Sequence, residues 1–206
     1  MQKIMFNEQY GLQRATLRRL KNNTRRALKV GYDDWNDVRA ALQDEVNIVA
    51  NKEAIMRKYA KYQVGEVIAI AQCYRDILAS EYLPSSKENE VIRLVEANHK
   101  GCTNKMYVCA DLMPHHIQIT GRKLELLQDI SDEDCLAEGV IRRDDLINSN
   151  MEKIVRFSFE GSFENKIWKS YATPREAFAA LINRVSGRGT WENNPWVVAY
   201  SYELKD

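Results

Sequence analysis

The segment Val64-Gly65-Glu66-Val67-Ile68-Ala69-Ile70-Ala71-Gln72-Cys73 constrains the fold more than any other. It supplies a turn and then a nearly continuous apolar run, which suits a strand covered on both faces rather than one face of an exposed ribbon. This predicts the central strand of a small barrel with other elements packed around it. A chain of 206 residues has room for one such domain carrying an insertion.

The rest of the pattern mixes short helices with strands. Gly11 to Leu20 reads as a helix with Leu12, Ala15 and Leu17 or Leu20 inward, and Thr24 to Val30 reads as extended. Between Asp33 and Tyr62, Trp35, Val38, Leu42, Val46 and Val49 recur at three- and four-residue steps, followed by Ile55, Met56 and Tyr59. That spacing predicts a helical insertion over 33–62 within a single 1–206 domain. Ser86 is suited to cap a helix from Lys87 to about Ala97. Ile117 and Ile119 alternate with one phase, Leu124 and Leu126 with the other, so a β-bulge is expected at Gly121. Ser131-Asp132-Glu133-Asp134 opens a short acidic helix that ends at Gly139, and Ile154 to Phe159 reads as a strand. Thr173-Pro174-Arg175-Glu176 is a capping box for a helix burying Ala177, Phe178, Leu181, Ile182 and Val185. Trp196 to Leu204 then alternates as a final strand. Strands separated by long excursions make the class α+β, with a small barrel, flanking helices and a helical insertion.

Composition excludes several functions. With 45% hydrophobic and 29% charged residues the chain is that of a globular protein. No stretch reaches the ~18 apolar residues of a spanning helix, and the first residues lack a secretory apolar core, so a cytosolic protein without a membrane partner is expected. The four cysteines, Cys73, Cys102, Cys109 and Cys135, have no CxxC spacing and read as reduced thiols. His115-His116 is a polar entry to a strand, because adjacent strand side chains point to opposite faces; no metal site and no cofactor are expected.

Net charge is only +1, yet it is unevenly distributed. Arg14 to Tyr32 holds seven bases and no acid, while Glu125 to Glu138 holds six acids and no base. Two such segments either face one another or are each solvated. Walker A, GxGxxG, HExxH, GxSxG and EF-hand patterns are absent. What remains is Lys21-Asn22-Asn23-Thr24-Arg25-Arg26 at the basic junction, and a lysine, a hydroxyl and a carboxylate are the groups an acyl-transfer site uses.

This junction resembles the ASCH family, relatives of the PUA barrel, whose signature GxKxxExR enters the first strand. Arg19, Lys21, Thr24 and Arg26 fall on its four positions; Arg19 stands for the glycine and Thr24 for the glutamate, as in the branch reading GRKTxTxR. Asn22 stands where that branch has threonine. The phrases VGEVIAIAQ, NKMYVCADLMPHHIQIT, LQDISDEDCLAEG and TPREAFAALINRVSGRGTWENNPWV extend the likeness over most of the chain, in the manner of longer ASCH proteins common in phage and prophage genomes. The resemblance implies a PUA-like barrel with a cleft for RNA or a modified nucleoside or nucleotide. It also implies an alternative activity, deacetylation of N4-acetylcytidine-like nucleosides by an amidohydrolase set that falls on Lys21, Thr24 and Glu138. Binding without catalysis is the leading expectation, with Arg19, Lys21, Arg25, Arg26 and Trp191 contacting the nucleic acid. A third reading makes the Trp35 to Val49 stripe a contact for a phage or host complex; the pattern specifies no oligomeric state.

Overall fold

The computed structural model describes residues 1–147, 150–164 and 167–205. Its strands are β1 (Lys3–Ile4), β2 (Asn23–Ala27), β3 (Val67–Ile70), β4 (His116–Leu126), β5 (Ile141–Ile147), β6 (Lys153–Ser158), β7 (Phe163–Glu164), β8 (Ile167–Trp168) and β9 (Trp196–Leu204). Its helices are α1 (Leu12–Leu17), α2 (Trp35–Gln43), α3 (Ile48–Tyr59), α4 (Tyr74–Leu78), α5 (Ser85–Glu96), α6 (Asp132–Ala137), α7 (Pro174–Ser186) and α8 (Thr190–Asn193). The fold is α+β. Its main sheet runs β1-β3-β4-β9-β2, with β1 parallel to β3 and the other pairs antiparallel. β5 with β6 and β7 with β8 form separate two-stranded ribbons.

The sheet is not closed. β1 and β2 are its two edges and do not pair with each other among the described residues. β1 spans two residues before the chain leaves through Met5 to Asn7 into α1, so no ladder can form across the gap. One side chain bridges it instead: Arg26 Nη2 donates to the Met5 carbonyl at 2.7 Å.

The apolar run lies in β3, but the middle strand is β4. Burial on both faces arises because successive side chains point opposite ways. Ile68 and Ile70 enter the larger core with Ile4, Ile117 and Tyr62, whereas Ala69 and Ala71 enter a second core with Tyr74, Ile77 and Val91 of α4 and α5. A strand beside the edge is thus as dry as a central one. In β4 the ladder shifts between Ile119, opposite Tyr202, and Gly121, opposite Ser201. The extra residue, Thr120, swaps the faces, so Ile117, Ile119 and Leu124 are all buried despite their different parity.

The helical segment over 33–62 packs on the same core through Val38, Ile55 and Met56. Arg122 of β4 ties it down, with a 2.8 Å ion pair to Glu53. The apolar stripe breaks at Asp44 to Asn47, where Asp44 Oδ1 accepts from the Asn47 amide, and Val46 and Val49 are 92% and 80% exposed. Two other expectations shift. α1 stops at Leu17 and leaves Leu20 in solvent, and α5 starts at Ser85 after Pro84, without a side-chain cap from Ser86. The caps of α6 and α7 form as the sequence implies: Ser131 Oγ accepts from the Asp134 amide at 3.1 Å, and Thr173 Oγ1 from the Glu176 amide at 3.2 Å. Among the described residues no helix is long and apolar enough to cross a membrane.

Candidate functional site

Lys21 leaves the turn after α1, and Glu138 ends α6, more than a hundred residues later. The backbone joins these places: the Asn22 amide donates to the Ala137 carbonyl at 3.0 Å, setting the start of β2 against the end of α6. Gly139 turns the chain immediately after Glu138 with φ 109°, a conformation that favours glycine. A Cβ there would stand 3.0 Å from Leu12 Cδ2 and 3.7 Å from Lys21 Cδ. The turn and the lysine stem therefore share one tight space.

Lys21 Nζ lies 2.6 Å from Glu138 Oε2 and 2.9 Å from the Glu138 carbonyl, and it also donates to the Asn23 carbonyl. Three acceptors match the three donors of an ammonium group. The two side chains are only 1% and 7% exposed. Burial pushes the Lys21 pKa below its ordinary value of 10.5, against the opposing pull of the Glu138 charge. The other Glu138 oxygen, Oε1, accepts from Arg25 Nη1 at 3.2 Å.

Arg25 collects the rest of the acidic segment. Its Nε donates to Glu125 Oε1 at 2.9 Å and its Nη2 to Asp134 Oδ2 at 2.7 Å. Desolvation works against this cation, but Glu138, Asp134 and Glu125 outweigh it and raise its pKa. The basic and acidic runs of the sequence thus face one another, and an ion-pair network joins β2, β4 and α6.

Thr24 lies next to this network on β2, opposite Tyr200 of β9, and is 5% exposed. Among the described residues its hydroxyl makes no hydrogen bond. It lines a cavity of about 430 Å³ that also takes in Lys21, Arg25, Arg26 and Glu138. The cavity occupies the gap between the sheet edges, with Met5 and Phe6 following β1 on one side and β2 on the other. Tyr59 and Tyr62, from α3 and the loop after it, form one wall, and Phe178, Leu181, Ile182 and Val185 of α7 another. Exposed Met5, Lys29 and Lys61 mark its rim. A mostly apolar cleft of this volume with a few convergent polar groups has the form of a small-molecule site.

The structure therefore gathers Lys21, Thr24, Arg25, Arg26 and Glu138, and leaves two candidates outside. Arg19 is exposed and donates from Nη1 to the Leu204 carbonyl at 3.1 Å. It adopts φ 60°, the conformation a glycine takes most easily. Trp191 lies on α8, edge-on to Phe178 at 6.0 Å and under the Arg175 guanidinium at 5.9 Å. It does not line the cavity. Phe6, Tyr62 and Tyr200, which do, carried no motif, since they come from segments far apart in the sequence. The acid run did signal Glu125 and Asp134, but not their common partner.

His115 is buried, its ring 5.0 Å from that of Tyr82, and no group of three or more metal-ligating side chains occurs among the described residues. The four cysteines are free; burial pushes the Cys135 thiol up to about 12. Comparison of the chain with protein-family models, with curated proteins and with solved structures finds no match.

Proposed function

We propose that this chain is an ASCH-like module, a PUA-type barrel left open along one seam, and that the seam cavity binds an acylated pyrimidine nucleoside and hydrolyses its amide in the cytosol. The observation that carries this reading is the buried 2.6 Å contact of Lys21 Nζ with Glu138 Oε2 on the wall of a cavity that Thr24 also lines. Stability alone is a poor reason for such a pair, because desolvating two charges offsets most of their attraction. A lysine whose pKa is lowered by burial does, in contrast, release its proton more readily than a solvated one, as a group that passes protons must.

In the proposed reaction a proton passes from Lys21 to Glu138 across that contact. Through one bridging water, the Lys21 amine takes up the proton of the Thr24 hydroxyl as the threonine oxygen bonds to the acyl carbon. The carbon–nitrogen bond breaks as the proton on Glu138 moves to the departing amine. Water then cleaves the Thr24 ester, releasing the carboxylic acid and restoring the hydroxyl. Arg25 holds Glu138 in place through Oε1 without touching the substrate. RNA binding is a broader proposal for the same cleft. Of the residues it called on, Arg25 is held by three carboxylates, while Arg19 and Trp191 lie outside the cavity.

Incubation with N4-acetylcytidine followed by chromatography for cytidine tests the reading. Wild type is expected to form cytidine and Lys21→Ala to remain at the uncatalysed background. Equal conversion by the two refutes it.

A further inference from the structure

The charge of the cavity exceeds what that chemistry uses. Its lining contains six bases, Lys3, Lys21, Arg25, Arg26, Lys29 and Lys61, against one acid, Glu138. Lys21 and Arg25 are neutralised by their carboxylates. Lys3 Nζ donates to the Met106 and Val108 carbonyls at 2.8 and 2.6 Å. Arg26, Lys29 and Lys61 remain, and among the described residues none of them forms an ion pair.

Their placement is ordered. Thr24 and Arg26 lie two residues apart on the same side of β2, about 7 Å along the strand. Arg26 uses Nη2 on the Met5 carbonyl, while its Nε is buried without an acceptor. Lys29 continues toward the opening, and Lys61 stands on the opposite wall with its ammonium 5.1 Å from the Tyr62 ring centroid. A cation with an unfilled donor inside an apolar cleft favours an anion, because buried donors are costly to leave unmet.

Resting on the nucleoside reading above, we infer that the ligand is a mononucleotide: its base lies at the Lys21, Thr24 and Glu138 end, and the phosphate on its sugar is held by Arg26 with Lys29 and Lys61 at the rim. The phosphate is a binding handle and takes no part in the reaction.

Calorimetric titration of the full chain with cytidine, cytidine 5′-monophosphate, ribose 5-phosphate and a short oligoribonucleotide tests this. The monophosphate is expected to bind at least about ten-fold tighter than cytidine, as charge-assisted hydrogen bonds imply, and to lose that advantage as salt rises. In Arg26→Met the ratio of the two affinities falls toward one. The double variant Lys29→Met/Lys61→Met, which alters only exposed side chains, should lower the same ratio even if Arg26→Met fails to fold. Equal binding of cytidine and its monophosphate overturns the inference and leaves the nucleoside reading standing. Ribose 5-phosphate binding as tightly as the monophosphate supports the phosphate site and refutes the nucleoside reading. An oligoribonucleotide that binds more than about ten-fold tighter than the monophosphate overturns the mononucleotide in favour of RNA, since added phosphate contacts then carry the affinity.

Discussion

Replacing Arg25 by methionine keeps much of its volume and removes the charge that three carboxylates share. The consequences for the three differ. Glu138 keeps Lys21 at 2.6 Å. Asp134 is 37% exposed and keeps Asn23 Nδ2 as a donor to its Oδ1 at 2.9 Å, so water and that donor absorb most of its loss. Glu125 is 2% exposed, and its remaining cation is Lys123, at 2.7 Å from the solvent side. Breaking a buried pair by removing one partner costs about 3–5 kcal/mol, and with one of three carboxylates stranded the loss should sit near the lower end. Adding Glu125→Gln to Arg25→Met removes the stranded charge and should return about 1–2 kcal/mol, a coupling visible only in the double variant. Urea unfolding at neutral pH measures both through the midpoint at constant slope. A loss below about 1 kcal/mol for Arg25→Met, or a double variant no more stable than the single one, would refute the network as described.

Three further perturbations probe the same junction. For Lys21, whose folded pKa is depressed, the unfolded chain holds the extra proton between that folded value and 10.5, so wild-type stability relative to Lys21→Met should rise with pH through this window; a relative stability that falls over the same range contradicts the burial of the amine. Arg19→Gly should raise the unfolding free energy from urea titration by up to about 1 kcal/mol, since a left-handed backbone costs an L-residue roughly 1–2 kcal/mol and the freer unfolded glycine returns part of it; a clear loss of stability would deny the φ of 60°. Gly139→Ala should cost about 1–3 kcal/mol and lower the melting temperature, because φ 109° is strained for alanine and its Cβ presses on Leu12; an unchanged melting temperature would place the turn elsewhere.

Much of this architecture is legible locally. The alternation of β9, the bulge next to Gly121, the Ser131 cap and the Thr173-Pro174 start of α7 are signals within a few residues, and each appears within one residue of where the pattern places it. β1 was hidden because two residues carry no period and its partner, β3, lies more than sixty positions away. The apolar run of β3 records burial on both faces, which a strand next to an edge shares with a central one, so its rank in the sheet was not encoded there. At the site, the resemblance to the ASCH signature points to Lys21, Thr24, Arg26 and Glu138, while the charge runs show only that bases and acids are segregated. Net charge by segment could not tell a solvated base from a buried one. Arg25 is 1% exposed by side chain while Arg19, six positions earlier, is in solvent. The tyrosines of the cavity wall are set by packing between distant elements and leave no sequence signature.

Thr24→Val separates chemistry from structure most cleanly. The hydroxyl makes no hydrogen bond among the described residues, so its replacement by a methyl group of similar size should leave the unfolding free energy from urea titration within about 0.5 kcal/mol of wild type. If that oxygen attacks the acyl carbon, the turnover of N4-acetylcytidine should fall by at least about a hundred-fold in the same preparation. Unchanged stability with lost turnover is the result predicted; turnover equal to that of wild type would contradict the assignment of this cavity as a hydrolytic site.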